Sequence, residues 1–270
     1  MLPSLFRLIP CALLLAAIPL WAQPEDLSVF GTKEVNRAAL IGILYDLKQD
    51  QAHNKKEMNT RIYGEIIDEF LSKKWDESVL NRYYRVTQPL YTTQVYIPLM
   101  RASGAPRAFE VEDTVKPSYW LIHYKGQVSA PSDGEWRFWG WGEECCSVAI
   151  NGEIVLLANW HEIKTPNVDW ESPEPDGMKI ANGHLTAGSW FRLEKGEVVD
   201  LDILIGERAG GVFCSFLLIE KRGETYGPRV ADNQPLLPVF QLAPFPTVEA
   251  ESTKQGPPIA RDGPIWNAVQ

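Results

Sequence analysis

The residues with chemistry to offer gather between positions 136 and 161. Glu143 and Glu144 are adjacent carboxylates inside the stretch 134–157, GEWRFWGWGEECCSVAINGEIVLL. Two such groups repel each other and gain by sharing a cation. With backbone carbonyls and Asn151 they are candidates for a calcium site. Trp139 and Trp141 stand just before them, and Trp160 follows on a long irregular segment. Exposed indoles can stack on a sugar ring. The candidate ligand-binding set is therefore Trp139, Trp141, Asn151 and Trp160, with Glu143 and Glu144 as candidate metal ligands. The plainer alternatives are two solvated turn residues for the acidic pair, and indoles covered by the N-terminal helices for Trp139 and Trp141.

Catalysis finds little support. His53, His123, His161 and His184 are scattered, and none has a Ser or Cys beside it in a nucleophile setting. His123 reads as structural. Glycoside hydrolysis needs two carboxyls facing each other at about 5–9 Å, and no signature selects such a pair. Neither CxxC nor HExxH occurs, and Cys145-Cys146 alone supplies too few ligands for zinc. The chain is read as a non-catalytic protein.

The elements that must carry these residues are mostly strands. Trp136 and Phe138 alternate with Arg137 and Trp139, the period of a half-buried strand. Asn151-Gly152 is a hairpin signal, since both residues tolerate positive φ. Val199, Leu201, Ile203 and Ile205 alternate with Asp200 and Asp202, a clean amphipathic strand whose Asp residues read as its solvated face. Further strands are expected over 91–99, 120–124 and 212–219. The segment 158–184 is a long irregular loop and a candidate ligand-facing element. Helices are expected over 34–48, where Leu40, Leu44 and Leu47 share a face, and over 57–74, with Ile62, Ile66 and Phe70 at four-residue spacing. Asp76 is expected to cap a third, short helix. Such a small helical layer must dock on the β region to bury enough surface. Eight of the 20 prolines fall in 228–270, which reads as an extended, partly disordered tail with some order near 236–242.

The order of motifs (aromatic strand, adjacent acidic pair, short apolar strand, Asn-Gly, apolar strand) resembles the domain named after the anthrax toxin protective antigen. That domain occurs in bacterial surface proteins, yeast flocculation adhesins and some glycosidases. Trp120, His123-Tyr124-Lys125-Gly126 and Pro131-Ser132-Asp133-Gly134 resemble its opening strand and turn, and 196–203 with 211–213 its closing strands. The resemblance covers roughly residues 115–222. It implies an antiparallel β-barrel or sandwich, a carbohydrate ligand and calcium as a possible cofactor. Members that bind calcium and sugar carry Asp-Asp in the acidic turn. Glu143-Glu144 stands there in this chain, one methylene longer on each side.

Composition bounds the rest. With 270 residues, 45% of them hydrophobic, the chain can bury a sizeable core, and its formal charge of −9 argues against nucleic acid and anionic membranes as partners. Arg7 precedes an apolar run over 8–20, and Ala22 offers a small residue for cleavage. The run is too short to span a bilayer, so residues 1–22 read as a secretory signal peptide whose removal leaves no transmembrane segment. The cleaved chain would hold 25 basic against 35 acidic residues. Three cysteines would remain, either with Cys145 or Cys146 bonded to Cys214 or, as the plainer alternative, as buried thiols acting as small hydrophobes.

The expected organisation is a signal peptide over 1–22, a helical segment over 23–90, a protective-antigen-like β-barrel or sandwich over 91–227, and a tail over 228–270. The expected role is an exported, non-catalytic binding module (periplasmic, cell-surface or secreted) that recognises carbohydrate or a surface protein. The alternative is a structural or protein–protein interaction module of a periplasmic or surface assembly.

Overall fold

The computed structural model describes residues 27–175, 177–180, 183–228, 235–244, 256–260 and 262–269. The apolar run over 8–20 and its cleavage position lie outside them. The first half of the chain forms β1 (Leu40–Asp46), α1 (Thr60–Ser72), β2 (Tyr84–Arg85), β3 (Leu90–Thr92), β4 (Tyr96–Arg101), α2 (Gly104–Ala108), β5 (Ser118–Ser129) and β6 (Gly134–Gly142). There follow β7 (Cys145–Ile150), β8 (Glu153–Leu157), β9 (Met178–Ile180), β10 (Gly183–Ala187), β11 (Phe191–Leu193), β12 (Val198–Ala209) and β13 (Val212–Lys221). Three short pieces close the chain: β14 (Leu237–Pro238), β15 (Ile259–Ala260) and β16 (Asn267–Val269).

These strands stack as an antiparallel β-sandwich. The first sheet runs β2-β1-β5-β12-β7-β8, with β3 also on β1 and β16 on β5. The second runs β4-β13-β6-β10-β9, with β11 on β6. Of the two architectures the sequence left open, it is the sandwich: the described strands do not close into a barrel. The period-two patterns place Trp120, Ile122 and Tyr124 from β5, Leu201, Ile203 and Ile205 from β12, and Trp136 and Phe138 from β6 in one core between the sheets. The other face of the first sheet is covered by α1. Tyr63, Ile66, Ile67 and Phe70 pack there on Ile43, Tyr45, Leu121, Ala149 and Leu204. Asn59 caps this helix by accepting from the Ile62 amide at 3.0 Å.

Two expectations fail. The segment 34–48 contains no helix; its apolar part is β1, paired with β5 from Ile41↔Lys125 to Asp46↔Trp120. The sandwich therefore begins well before residue 91. A spacing of four is even, so Leu40 and Leu44 share one face of a strand as well as of a helix. Both faces of β1 are buried, Leu40 and Leu44 in the inter-sheet core, Ile43 and Tyr45 under α1, which removes the polar alternation of an ordinary strand. A side chain at Gly42 would meet the Tyr124 ring at 2.3 Å, so this strand crosses the core only as glycine at that point. The C-terminal part, expected as a tail, is built into the sandwich where it is described. Trp266 and Phe240 are fully buried in the core, their rings 5.5 Å apart, and β16 pairs with β5. The third helix is reduced to a short 3-10 turn over Leu80–Arg82. The connection 102–117 contains α2.

Candidate functional site

The acidic turn, the start of the long loop and the strand β10 meet at one end of the sandwich. β6 delivers Trp141 to this end and finishes at Gly142, where a side chain would collide with the Cys145 carbonyl carbon at 2.4 Å. Only glycine lets the turn fold back this tightly. The loop after β8 is then fastened to the turn. The Trp160 amide donates to the Glu144 carbonyl at 2.8 Å. Asn159 Oδ1 accepts from the Cys146 amide at 3.1 Å and from Ser147 Oγ at 3.0 Å. The result is an open groove of about 240 Å³ in which Trp141 and Trp160 are joined by Asn159, His161, His184 and Thr186. Trp160 and His161 lie ring against ring at 4.4 Å. Asn159 Nδ2 is buried without a partner, a donor left free beside the groove.

The other candidates go elsewhere. Trp139 is on the same outward face of β6 but is only 3% exposed. The C-terminal residues Leu237 and Val239 cover it, rather than the N-terminal helices, which sit on the first sheet. Its indole donates to Glu220 Oε2 at 2.7 Å, and the Arg137 guanidinium lies 4.6 Å from its ring. It borders a separate cavity of about 380 Å³ with Glu174, Glu220 and Tyr226. Asn151 is at the far end of β7. It holds the hairpin at φ +51°, with Gly152 at +75°, and exchanges two 2.8 Å hydrogen bonds with the Asp200 backbone. It is a turn residue and contributes nothing to the groove.

Glu143 and Glu144 are adjacent in the chain but have different partners. Glu144 is gripped by Arg208, with Nε to Oε2 at 3.0 Å and Nη2 to Oε1 at 3.1 Å, and Arg208 also reaches Glu162 at 2.5 Å. Glu143 faces Glu207, a residue the sequence reading missed. Glu207 is fully buried, and neither of its oxygens has a donor. Burial, then the charges of Glu143 and Glu144, push its carboxyl up to about 8. Burial likewise raises Glu143, and raises Glu144 against the pull of Arg208. A signal for Glu207 was present: the alternation Val199, Leu201, Ile203, Ile205 continues to 207, a core-facing position.

This arrangement does not suit the expected calcium site. Calcium takes six to eight oxygens, and Glu144 is held by the Arg208 guanidinium, with Oε1 accepting a hydrogen bond and Oε2 within ion-pair distance. Among the described residues no three His, Cys, Asp or Glu side chains come together as metal ligands. Cys145, Cys146 and Cys214 are buried free thiols, and burial pushes Cys146 up to about 12 and Cys214 to about 11. No disulfide joins them.

No family model and no curated protein matches the sequence. The chain is similar to PA14 domains of known structure. A PA14 sugar-binding domain from an RTX adhesin matches 69% of this chain and 92% of its own at 12% identity, with a TM-score of 0.42. The PA14 domain of the MpAFP antifreeze protein matches 69% of this chain and 83% of its own at 13% identity and a TM-score of 0.38. The A domain of epithelial adhesin 6 from Candida glabrata, solved with Galb1-3GlcNAc, matches 72% and 85% at 9% identity and a TM-score of 0.40. Matches of this depth leave function to be argued from the chain's own residues.

Proposed function

We propose that this protein is a non-catalytic module that binds a neutral carbohydrate in the Trp141–Trp160 groove. One observation carries the reading: two indoles 19 positions apart in sequence line one open groove beside polar groups suited to hydroxyls. Aromatic faces take the apolar side of a sugar ring, while Asn159, His161, His184 and Thr186 supply donors and acceptors at its edge. Among the described residues no carboxylate lines the groove, which favours binding over hydrolysis. Arg208 occupies Glu144, so recognition proceeds without calcium. The apolar run over 8–20 supports an exported location, where glycans are within reach. Among the described residues no helix is long and apolar enough to cross a membrane.

Calorimetry against a panel of neutral mono- and disaccharides tests this. Trp160→Ala is expected to weaken binding at least about tenfold, roughly 1.4 kcal/mol, and added calcium chloride to leave it unchanged. A wild-type chain that binds no sugar in the panel, or a Trp160→Ala variant that binds equally well, would sink the reading.

A further inference from the structure

A second groove of about 410 Å³ opens where β1 leaves the first sheet, beside the segment before β5. Its ammonium groups are those of Lys48, Lys55, Lys56 and Lys116. The chain as a whole carries −9, so this concentration of one sign runs against its background. Five lysines elsewhere, Lys33, Lys73, Lys74, Lys125 and Lys221, each hold a carboxylate, while others such as Lys164 and Lys195 stand singly rather than grouped in a groove. Lys55, Lys56 and Lys116 are exposed, and among the described residues none of them is in an ion pair with a carboxylate. The one carboxylate in the lining, Asp46, is 1% exposed and already satisfied by Lys48 and by Gln49 Nε2 at 2.7 Å. The groove therefore presents a net positive face, with Asp50 as the nearest partial counterweight, at Lys56.

The rim is built to hold them in place. Lys56 N donates to Lys48 O at 2.8 Å and Gln49 pairs with Lys55, closing a short antiparallel loop. Asp50 lies within electrostatic reach of Lys56, but its carboxylate is turned into that loop, accepting from Ala52 and Asn54 at 2.9 Å. On the floor, Lys48 Nζ is also bound by the Ser118 carbonyl. Tyr119, in the opposite wall, sits at φ +51°. A bulky aromatic residue in that region is strained, and such strain concentrates where the surrounding structure imposes a particular presentation.

We propose that this groove binds an acidic oligosaccharide, its carboxylate or sulfate groups held by Lys55, Lys56 and Lys116 and a ring face resting on Tyr119 and Met58. Lysines act as compact point charges that suit anions spaced along a flexible chain. The groove is of ligand size, and its apolar wall distinguishes it from a merely solvated cluster of lysines. The assignment is independent of the neutral-sugar groove at the other site.

Calorimetry on the full chain at low salt, with a short oligogalacturonate as probe, tests it. Binding is expected, weakening about tenfold when screening salt is raised to shorten the Debye length. The triple variant Lys55→Gln, Lys56→Gln, Lys116→Gln should lose at least about tenfold, roughly 1.4 kcal/mol, while keeping the wild-type melting temperature and neutral-sugar binding. Oligogalacturonate binding that survives in Trp160→Ala separates this groove from the first. The proposal is overturned by absence of binding, by binding indifferent to the triple variant, by inorganic sulfate binding as tightly as the oligomer, or by oligoglutamate binding more tightly.

Discussion

The two sheets have the same alternation and different outer faces. Outside the first sheet, α1 lays Phe70, fully buried, against Trp75 and His123, with ring centres at 5.3 Å in both cases. The polar groups trapped there are answered only in part: His123 Nε2 meets Asp202 at 2.7 Å, while Tyr63 Oη and Trp75 Nε1 are buried without a hydrogen-bond partner. Outside the second sheet the cover includes the described C-terminal residues Leu237 and Val239. Beneath it Arg137 lies between the Trp139 and Trp190 rings, at 4.6 and 4.3 Å, and bonds Glu220 at 2.6 Å. A helix seals a sheet face because it brings a continuous apolar stripe. An extended stretch brings isolated apolar residues, and cavities remain beside it. The Trp141–Trp160 groove opens at the end where the two covers meet, Trp141 packed against the C-terminal cover and Trp160 against the α1 cluster, so exposure of binding residues follows from where both covers end.

The largest expected effect lies in the sealed face. Phe70→Ala removes a fully buried ring that α1 uses as its anchor and is expected to cost about 3–5 kcal/mol in urea unfolding. Leu237→Ala, in the looser cover over Trp139, should cost nearer about 2 kcal/mol. Equal losses would mean that the two covers are energetically alike, and the contrast between the faces would fail.

That contrast was only partly legible in the residues. Trp136, Phe138 and the strand from Val199 show one apolar face each, and period two gave their orientation correctly. β1 was misread because both its faces are buried and its leucine spacing fits either period. The outward direction of Trp139 and Trp141 was readable, but not which would be covered, since the residues over Trp139 come from about 100 positions downstream. The order of motifs implied a barrel or a sandwich, and the strands form the sandwich. It could not show that Glu144 is taken by Arg208, because an ion pair across strands 64 positions apart leaves no local pattern.

A second effect is expected beneath the acidic turn, and its sign follows from the buried Glu207. Its carboxyl is raised in the folded chain to about 8, against roughly 4.3 when unfolded. Between those values the folded state holds a proton that the unfolded state has released, so stability falls as pH rises through the window and levels off above it. Below the unfolded value both states are protonated, and this group's contribution is fully present. Glu207→Gln keeps the shape and removes the ionisation. It should flatten the pH dependence of the melting temperature and make the variant more stable than the wild type near the top of the window, by an amount of order a few kcal/mol. An unchanged pH profile would show that Glu207 ionises normally and that the burial argument is wrong.

The smallest effect separates the two ends of β7. Asn151 holds a left-handed conformation that an alanine adopts at a cost of about 1 kcal/mol, and it also accepts the Asp200 amide. Asn151→Ala should therefore lower stability by roughly 1–2 kcal/mol. Asn151→Gly should recover the conformational part and leave only the lost hydrogen bond. Neither change should alter sugar binding, because the hairpin and the groove lie at opposite ends of the strand. If binding fell together with stability, the hairpin would be holding the register of β7, and through Cys146 and Asn159 the position of Trp160. The groove would then depend on the whole strand rather than on its own end.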